Sequence, residues 1–266
     1  MHKKILTGML ILCMFIPSLM NAQGEIDEQE TVYYNDETTW SGILGTSGWG
    51  LDYRKARRVN ATLKNLWSID MVSLNHSKET SEQSRYVSGF VFTYGKTNVI
   101  TNLRFSIGQT REIYRKVDVG GVSLRWFYEF GPSVIWQKPV YYKYYNTQNQ
   151  NEYYDKFYSE YQRPYDFIVA KGSFGKGFNE STFVFGGHIN TGLSFDYSAR
   201  ANYIMALEVG LITDVYSQRL DMLAVAENPF YFVQVYASLR FGKIVDRMKV
   251  RLKKTRKEME KKQKFE

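Results

Sequence analysis

The chain reads as an all-β protein: a transmembrane antiparallel β-barrel of about ten strands, with eight or twelve also compatible. Three observations predict it. An export signal opens the chain, strand-length segments carry a two-residue apolar period with aromatic-rich outward rows, and connections alternate between short and long.

The signal comes first. Lys3 and Lys4 precede an apolar run from Ile5 to Met20, and small Ala22 follows at a cleavage point. The run is short for a permanent membrane helix of ~20 residues, so residues 1–22 are expected to be removed. Cys13 lies inside that run behind Leu10-Ile11-Leu12, a context unlike a lipoprotein site, and the mature chain then holds no cysteine. Disulfides, thiolate metal sites and cysteine nucleophiles are excluded with it. Residues 23–38 read as an N-terminal periplasmic segment, 39–242 as the barrel and 243–266 as a basic periplasmic tail.

The strands vary in regularity. The last, Pro229 to Phe241, puts Tyr231, Val233, Val235, Ala237, Leu239 and Phe241 on one face and Gln234, Tyr236, Ser238 and Arg240 on the other. That is the pattern of a strand between lipid and a polar lumen. The same alternation runs through 203–215, 183–195 and 122–130. Less regular strands are expected at Trp49–Arg57, Leu63–Leu74, Tyr86–Tyr94, Val99–Gln109 and Val134–Tyr144, and the weakest at Thr39–Gly45. Tyr86, Tyr94, Tyr128, Tyr197 and Tyr203, near strand ends, suit interfacial girdles.

Connection lengths set the orientation. Residues 56–62, 95–98, 131–133 and 197–201 read as short turns; 76–85, 110–119, 145–180 and 217–228 read as longer loops. With the last strand ending in the periplasm, every long loop faces outward, and parity requires one strand before Trp49. A soluble all-β domain is the alternative; the aromatic outward rows favour a barrel, because a membrane admits no open sheet edge.

The formal charge of +8 is unevenly placed. From Lys243 to Glu266 there are eleven Lys or Arg against four Asp or Glu, and Lys3 and Lys4 lie in the signal, which leaves residues 23–242 at −1. An exported, nearly neutral body gives nucleic-acid binding little support. The tail, with Lys249, Arg251, Lys253, Lys254, Arg256 and Lys257, places Ile244, Met248, Leu252 and Met259 at helical spacing. It reads as a solvated basic tail, or as one that meets anionic headgroups or an acidic envelope protein.

The inward rows hold Asp52, Arg54, Asp70, Arg104, Arg125, Glu129, His188, Glu208, Asp214 and Arg240. Charges of both signs in similar number suggest a network filling a narrow lumen; a conduit for a small solute is the sharper alternative. Catalysis needs a nucleophile, base and acid within reach of one another. His188 and Ser194 share a face but stand six residues apart, or ~20 Å at ~3.3 Å per residue, so they form no triad together. His76, in Asn75-His76-Ser77-Lys78-Glu79, reads as a solvated turn residue. No HExxH, phosphate loop or metal spacing occurs, and no cofactor is implied. The segment 145–180 is rich in tyrosine, with Tyr153, Tyr154, Tyr158, Tyr161 and Tyr165 as candidate contacts for a partner, or as packing over the barrel mouth.

Several phrases carry a resemblance: Gly48-Trp49-Gly50-Leu51 before Arg54-Lys55-Ala56-Arg57-Arg58, Leu74-Asn75-His76-Ser77-Lys78-Glu79, Tyr94-Gly95-Lys96-Thr97-Asn98, and Gly131-Pro132-Ser133 leading to Lys138-Pro139-Val140-Tyr141-Tyr142. Over residues 40–240 the chain resembles little-characterised outer-membrane β-barrel proteins of the Bacteroidota. The resemblance implies a fold and a location, and no activity.

Overall fold

Period-two alternation sends successive side chains to opposite faces of a sheet, and a sheet with one apolar and one polar face can satisfy both by closing on itself. The computed structural model describes residues 35–83, 90–116, 120–146, 151–156, 168–199, 203–224 and 227–246. The described strands are β1 (Asn35–Gly45), β2 (Gly48–Arg58), β3 (Leu63–Leu74), β4 (Ser81–Gln83), β5 (Val91–Thr93), β6 (Asn98–Tyr114), β7 (Ser123–Pro139), β8 (Tyr141–Asn146), β9 (Asn151–Lys156), β10 (Ile168–Lys171), β11 (Thr182–Asp196), β12 (Tyr203–Tyr216) and β13 (Tyr231–Asp246). Eight of them close an antiparallel barrel in the order β1-β13-β12-β11-β7-β6-β3-β2. Each barrel strand therefore pairs with its chain neighbours in the barrel, and β1 meets β13 from Asn35 opposite Asp246 to Gly45 opposite Tyr236.

The count is eight rather than about ten, for two reasons. Gly131-Pro132-Ser133 is not a turn: β7 runs through it as one strand, in unbroken register with β11 from Gln137 opposite Thr182 to Ser123 opposite Asp196. Proline normally argues against a central strand because it donates no ladder bond. Here the loss is local, since the ladder to β6 lapses beside Pro132 and resumes in the same register, with Arg104 opposite Ser133 and Ile107 opposite Phe130. The second difference lies at Tyr86–Tyr94. Residues 84–89 fall outside the described residues, and Val91–Thr93 pairs with Ser81–Gln83 in a separate hairpin.

The short connections 59–62, 115–122 and 197–202 share one end with the outermost residues of β1 and β13; we call it the terminal end. The connections 46–47, 75–97, 140–181 and 217–230 share the other, the long-loop end. Of the segment 110–119, expected as an outer loop, residues 110–116 lie at the terminal end because β6 continues to Tyr114, and 117–119 fall outside the described residues. The 95–98 turn lies at the long-loop end. The weakest expected strand is a full wall member, and β1 and β13 both run past the expected limits of 39 and 242, to Asn35 and Asp246.

At the long-loop end residues 220–223 fold inward. Leu220, Met222 and Leu223 join Leu74, Ile100, Ile135, Val184 and Phe232 in one buried apolar cluster, and Thr97 N–H donates to the Met222 carbonyl at 3.0 Å. Above it, β8 lies between β10 and β9 in a three-stranded sheet, where Tyr142, Tyr144 and Ile168 pack with Phe92 and Val140.

The outward rows are apolar around the wall. Trp40 is 62 % exposed, Ile107 59 %, Phe185 66 % and Val233 54 %, values that a water-facing surface does not tolerate in a continuous band. Inside, strand approach is close: Tyr236 lies opposite Gly210, and its ring occupies the space of a Gly210 Cβ, 2.7 Å from where that atom would stand.

Candidate functional site: an ion-paired lumen

Alternation decides which side a residue takes, and closure decides what it meets. The inward rows of all eight strands converge on a narrow space, where an unpaired charge would cost several kcal/mol of lost hydration. The ten lumen residues expected from the sequence face this space, and the structure groups them in three layers.

The middle layer joins four barrel strands. Arg54 on β2 reaches Glu129 on β7 at 2.9 Å through Nε and Glu208 on β12 at 2.9 Å through Nη1. Arg240 on β13 meets the same Glu208 at 2.9 Å and Asp52 at 2.5 Å. Neutral groups complete it: Asn190 Nδ2 donates to Glu129 at 3.0 Å, Tyr236 OH donates to Asn190 Oδ1 at 3.0 Å, and Ser41 Oγ donates to Asp52 at 3.1 Å. The Arg54 guanidinium lies over the Phe127 ring, 4.8 Å from its centroid.

Toward the long-loop end, Arg104 donates from Nε and Nη2 to the two oxygens of Asp214, both at 2.8 Å, and from Nη1 to Asp70 at 3.0 Å. Asn102 donates to Asp214 at 3.2 Å. Toward the terminal end, Arg125 contacts Asp196 at 2.8 Å and Glu37 at 3.3 Å, Lys64 pairs with Glu37, and Lys116 bonds Asp196 at 2.9 Å.

Glu37, Lys64, Lys116 and Asp196 are lumen members absent from the expected set. Lys64 and Asp196 have the inward parity of their strands and could have been found by extending the alternation to the strand ends. Glu37 lies in what reads as the leading segment, and Lys116 in a connection.

His188 does meet a serine, from β6 rather than its own strand: Ser106 Oγ stands 2.8 Å from His188 Nε2. Asp214 lies opposite His188 in the register but is held by Arg104. Ser106 is 3 % and His188 4 % exposed, so nothing the size of an ester reaches them. A cavity of about 20 Å³ among Arg54, Arg125, Ser194, Glu208 and Arg240 is space for one water. Among the described residues, no group of three or more His, Cys, Asp or Glu is arranged to hold a metal ion.

His76 is a turn residue, buried rather than solvated. Its Nδ1 accepts from the Lys78 N–H at 3.1 Å, and its own N–H donates to Glu79, which pairs with Lys96 at 2.9 Å. Of the expected loop contacts, Tyr153 and Tyr154 lie in β9, paired with Tyr144 and Lys143; Tyr158, Tyr161 and Tyr165 lie outside the described residues. So do the tail residues Lys249, Arg251, Lys253, Lys254, Arg256 and Lys257. In the outer sheet, Tyr142 OH donates to the Thr93 carbonyl at 2.9 Å, and burial, reinforced by Tyr144 and Glu79, holds its phenol above the usual range.

No family model matches the chain, and no curated protein matches it. Among solved structures, it is similar to the attachment invasion locus protein Ail of Yersinia pestis, at 7% identity over 80% of this chain and 99% of that one, with a TM-score of 0.39. Ail in complex with the heparin analogue sucrose octasulfate gives 6% identity over the same shares and a TM-score of 0.38. Neisserial surface protein A gives 9% identity over 80% and 96%, with a TM-score of 0.36. At such identities these are likenesses of fold, and no site is carried across from them.

Proposed function

We propose that the chain is a non-enzymatic outer-membrane β-barrel serving as a structural or accessory component of an envelope complex, and that it works through its rims and not its lumen. The observation that carries this reading is the sealed interior. Among the described residues the lumen cations are matched by carboxylates, an apolar cluster covers the long-loop end, and the cavity beside Arg54 and Arg240 has space for no more than one water. A solute conduit needs a continuous polar path, so the filled lumen supports a rim role over the channel alternative. The enclosed Ser106–His188 pair weighs in the same direction against a lipid-modifying enzyme.

The outer wall supports the location. On β13 the outward row from Tyr231 to Phe241 covers about 33 Å of strand at ~3.3 Å per residue, close to the ~25 Å height of a barrel's apolar band once a ~40° tilt is allowed for. In this reading residues 1–22 are a signal peptide, the long-loop end faces outward with the tyrosine-rich segment, and the terminal end with the basic tail 243–266 faces the periplasm.

The test is extraction of a C-terminally tagged protein from isolated outer membranes in mild detergent, with mass spectrometry of what accompanies it. A stoichiometric envelope protein is the expected result. A lone barrel that conducts ions in a planar bilayer would overturn the reading.

A further inference from the structure

The outward wall carries a second pattern on strands β12, β13, β1 and β2. Because the register across these strands is continuous, outward residues form level rows. One row reads Tyr203, Lys243, Thr38, Lys55, with Trp67 next on β3. The row nearer the long-loop end reads Phe241, Trp40, Tyr53, the next Leu239, Gly42, Leu51, and the next Ala237, Leu44, Trp49.

Two features of these rows bear on a ligand. Lys55 and Lys243 are exposed, and among the described residues neither has a carboxylate partner, whereas the lumen cations are paired. Among the described residues, Lys243 has the Tyr203 ring alone, 6.0 Å away. With strands ~4.8 Å apart, the two lysines flank the Thr38 hydroxyl at ~10 Å from each other, within reach of one group set between them. Beyond the aromatic row, where the Trp40 and Tyr53 rings meet at 4.6 Å, lies an apolar groove of about 440 Å³. It runs over Gly42, Leu51, Leu207, Ala237 and Leu239. Its depth comes from small residues: a Cβ on Gly42 would meet nothing within 4 Å.

We propose that this wall binds one anionic phosphoglyceride of the inner leaflet, with its phosphate between Lys55 and Lys243 at Thr38 and an acyl chain in the Gly42–Ala237 groove. The inference rests on the membrane reading above. Under that reading the lysine row stands one outward step past the apolar band, at headgroup depth, and the groove descends from it into the hydrocarbon. The lysines supply charge without a partner of their own, and the groove accepts a hydrocarbon chain and offers nothing to a polar one.

The experiment is native mass spectrometry of the full chain, titrated separately with phosphatidylglycerol and phosphatidylcholine, with insertion into extruded vesicles of each lipid measured in parallel. Wild type is expected to retain phosphatidylglycerol about thirtyfold better than phosphatidylcholine, the scale of two surface lysines acting on one anionic headgroup. K55A/K243A, at exposed positions that leave the fold intact, removes that preference. G42L, which fills the groove, weakens both lipids alike. Inorganic phosphate at millimolar concentration leaves the preference unchanged; if it abolishes it, the site takes free phosphate and the lipid assignment falls. Equal retention of both lipids by an inserted wild type, or a preference that survives K55A/K243A, overturns the inference alone. Failure to insert into any vesicle overturns the membrane reading and the inference with it.

Discussion

Arg104 grips Asp214 with two 2.8 Å hydrogen bonds, and neither side chain has any exposure to solvent. Removing one partner of such a pair strands the other, which is where buried ion pairs exert their largest effect. Arg104→Met leaves both Asp214 and Asp70 without their cation and is expected to cost about 3–5 kcal/mol. The double variant Arg104→Met/Asp214→Leu recovers part of that loss. Denaturant unfolding in detergent, followed by tryptophan fluorescence, measures both.

Glu208 accepts from Arg54 and Arg240 at once, so it ties β12 to both β2 and β13. Glu208→Gln is expected to cost more than either single arginine replacement with methionine. A double-mutant cycle between Arg54 and Arg240 should show their effects to be non-additive by about 1 kcal/mol or more, as for residues that share a partner.

Conductance separates a sealed lumen from an open one. Wild type in a planar bilayer should give no steady current. Arg54→Ala/Arg240→Ala/Glu208→Ala, which empties the middle layer, should give openings if the protein still inserts. Sustained wild-type current would defeat the sealed-lumen reading.

Gly210 is the position at which Tyr236 packs flat against the opposing strand. Gly210→Val overfills that space and displaces the Tyr236 hydroxyl from Asn190, and is expected to cost about 1–3 kcal/mol. Gly42→Val, on the open outer wall, should leave unfolding within about 0.5 kcal/mol. Heat-modified mobility on gels distinguishes the two.

Tyr142 anchors the outer sheet, its hydroxyl bonding the Thr93 and Lys96 carbonyls outside the barrel strands. Tyr142→Ala should therefore leave barrel unfolding unchanged while the long-loop segments become cleavable by added protease at lower dose. Loss of barrel stability would show that sheet and barrel are one cooperative unit.

The all-β closed barrel was readable because its signal is a parity, and parity survives without knowledge of partners. Tyr231 through Phe241 face outward for the same reason that Arg240 faces inward. The strand count was not readable, because Gly131-Pro132-Ser133 has turn chemistry yet lies in a strand held on both sides, where tertiary pairing overrides local preference. Partner identity was also hidden. Nothing local ties Arg54 to Glu208, 154 residues away, and the layer around Glu37 and Asp196 appears only once closure brings the strand ends together. The rows of the outer wall likewise need the register, which the amino-acid order of any one strand does not contain.

The seam between β1 and β13 has a consequence for assembly. Arg240 arrives on the final wall strand, and it is the cation that answers Asp52 and shares Glu208 with Arg54. A chain released before β13 would present two raw edges and carboxylates short of a counter-charge inside an unclosed cylinder, a species that under the membrane reading has no resting state in a bilayer. The seam thus acts as a completeness check, in which the edge of β1 left open by its pairing with β2 is covered only by the last wall strand to be made.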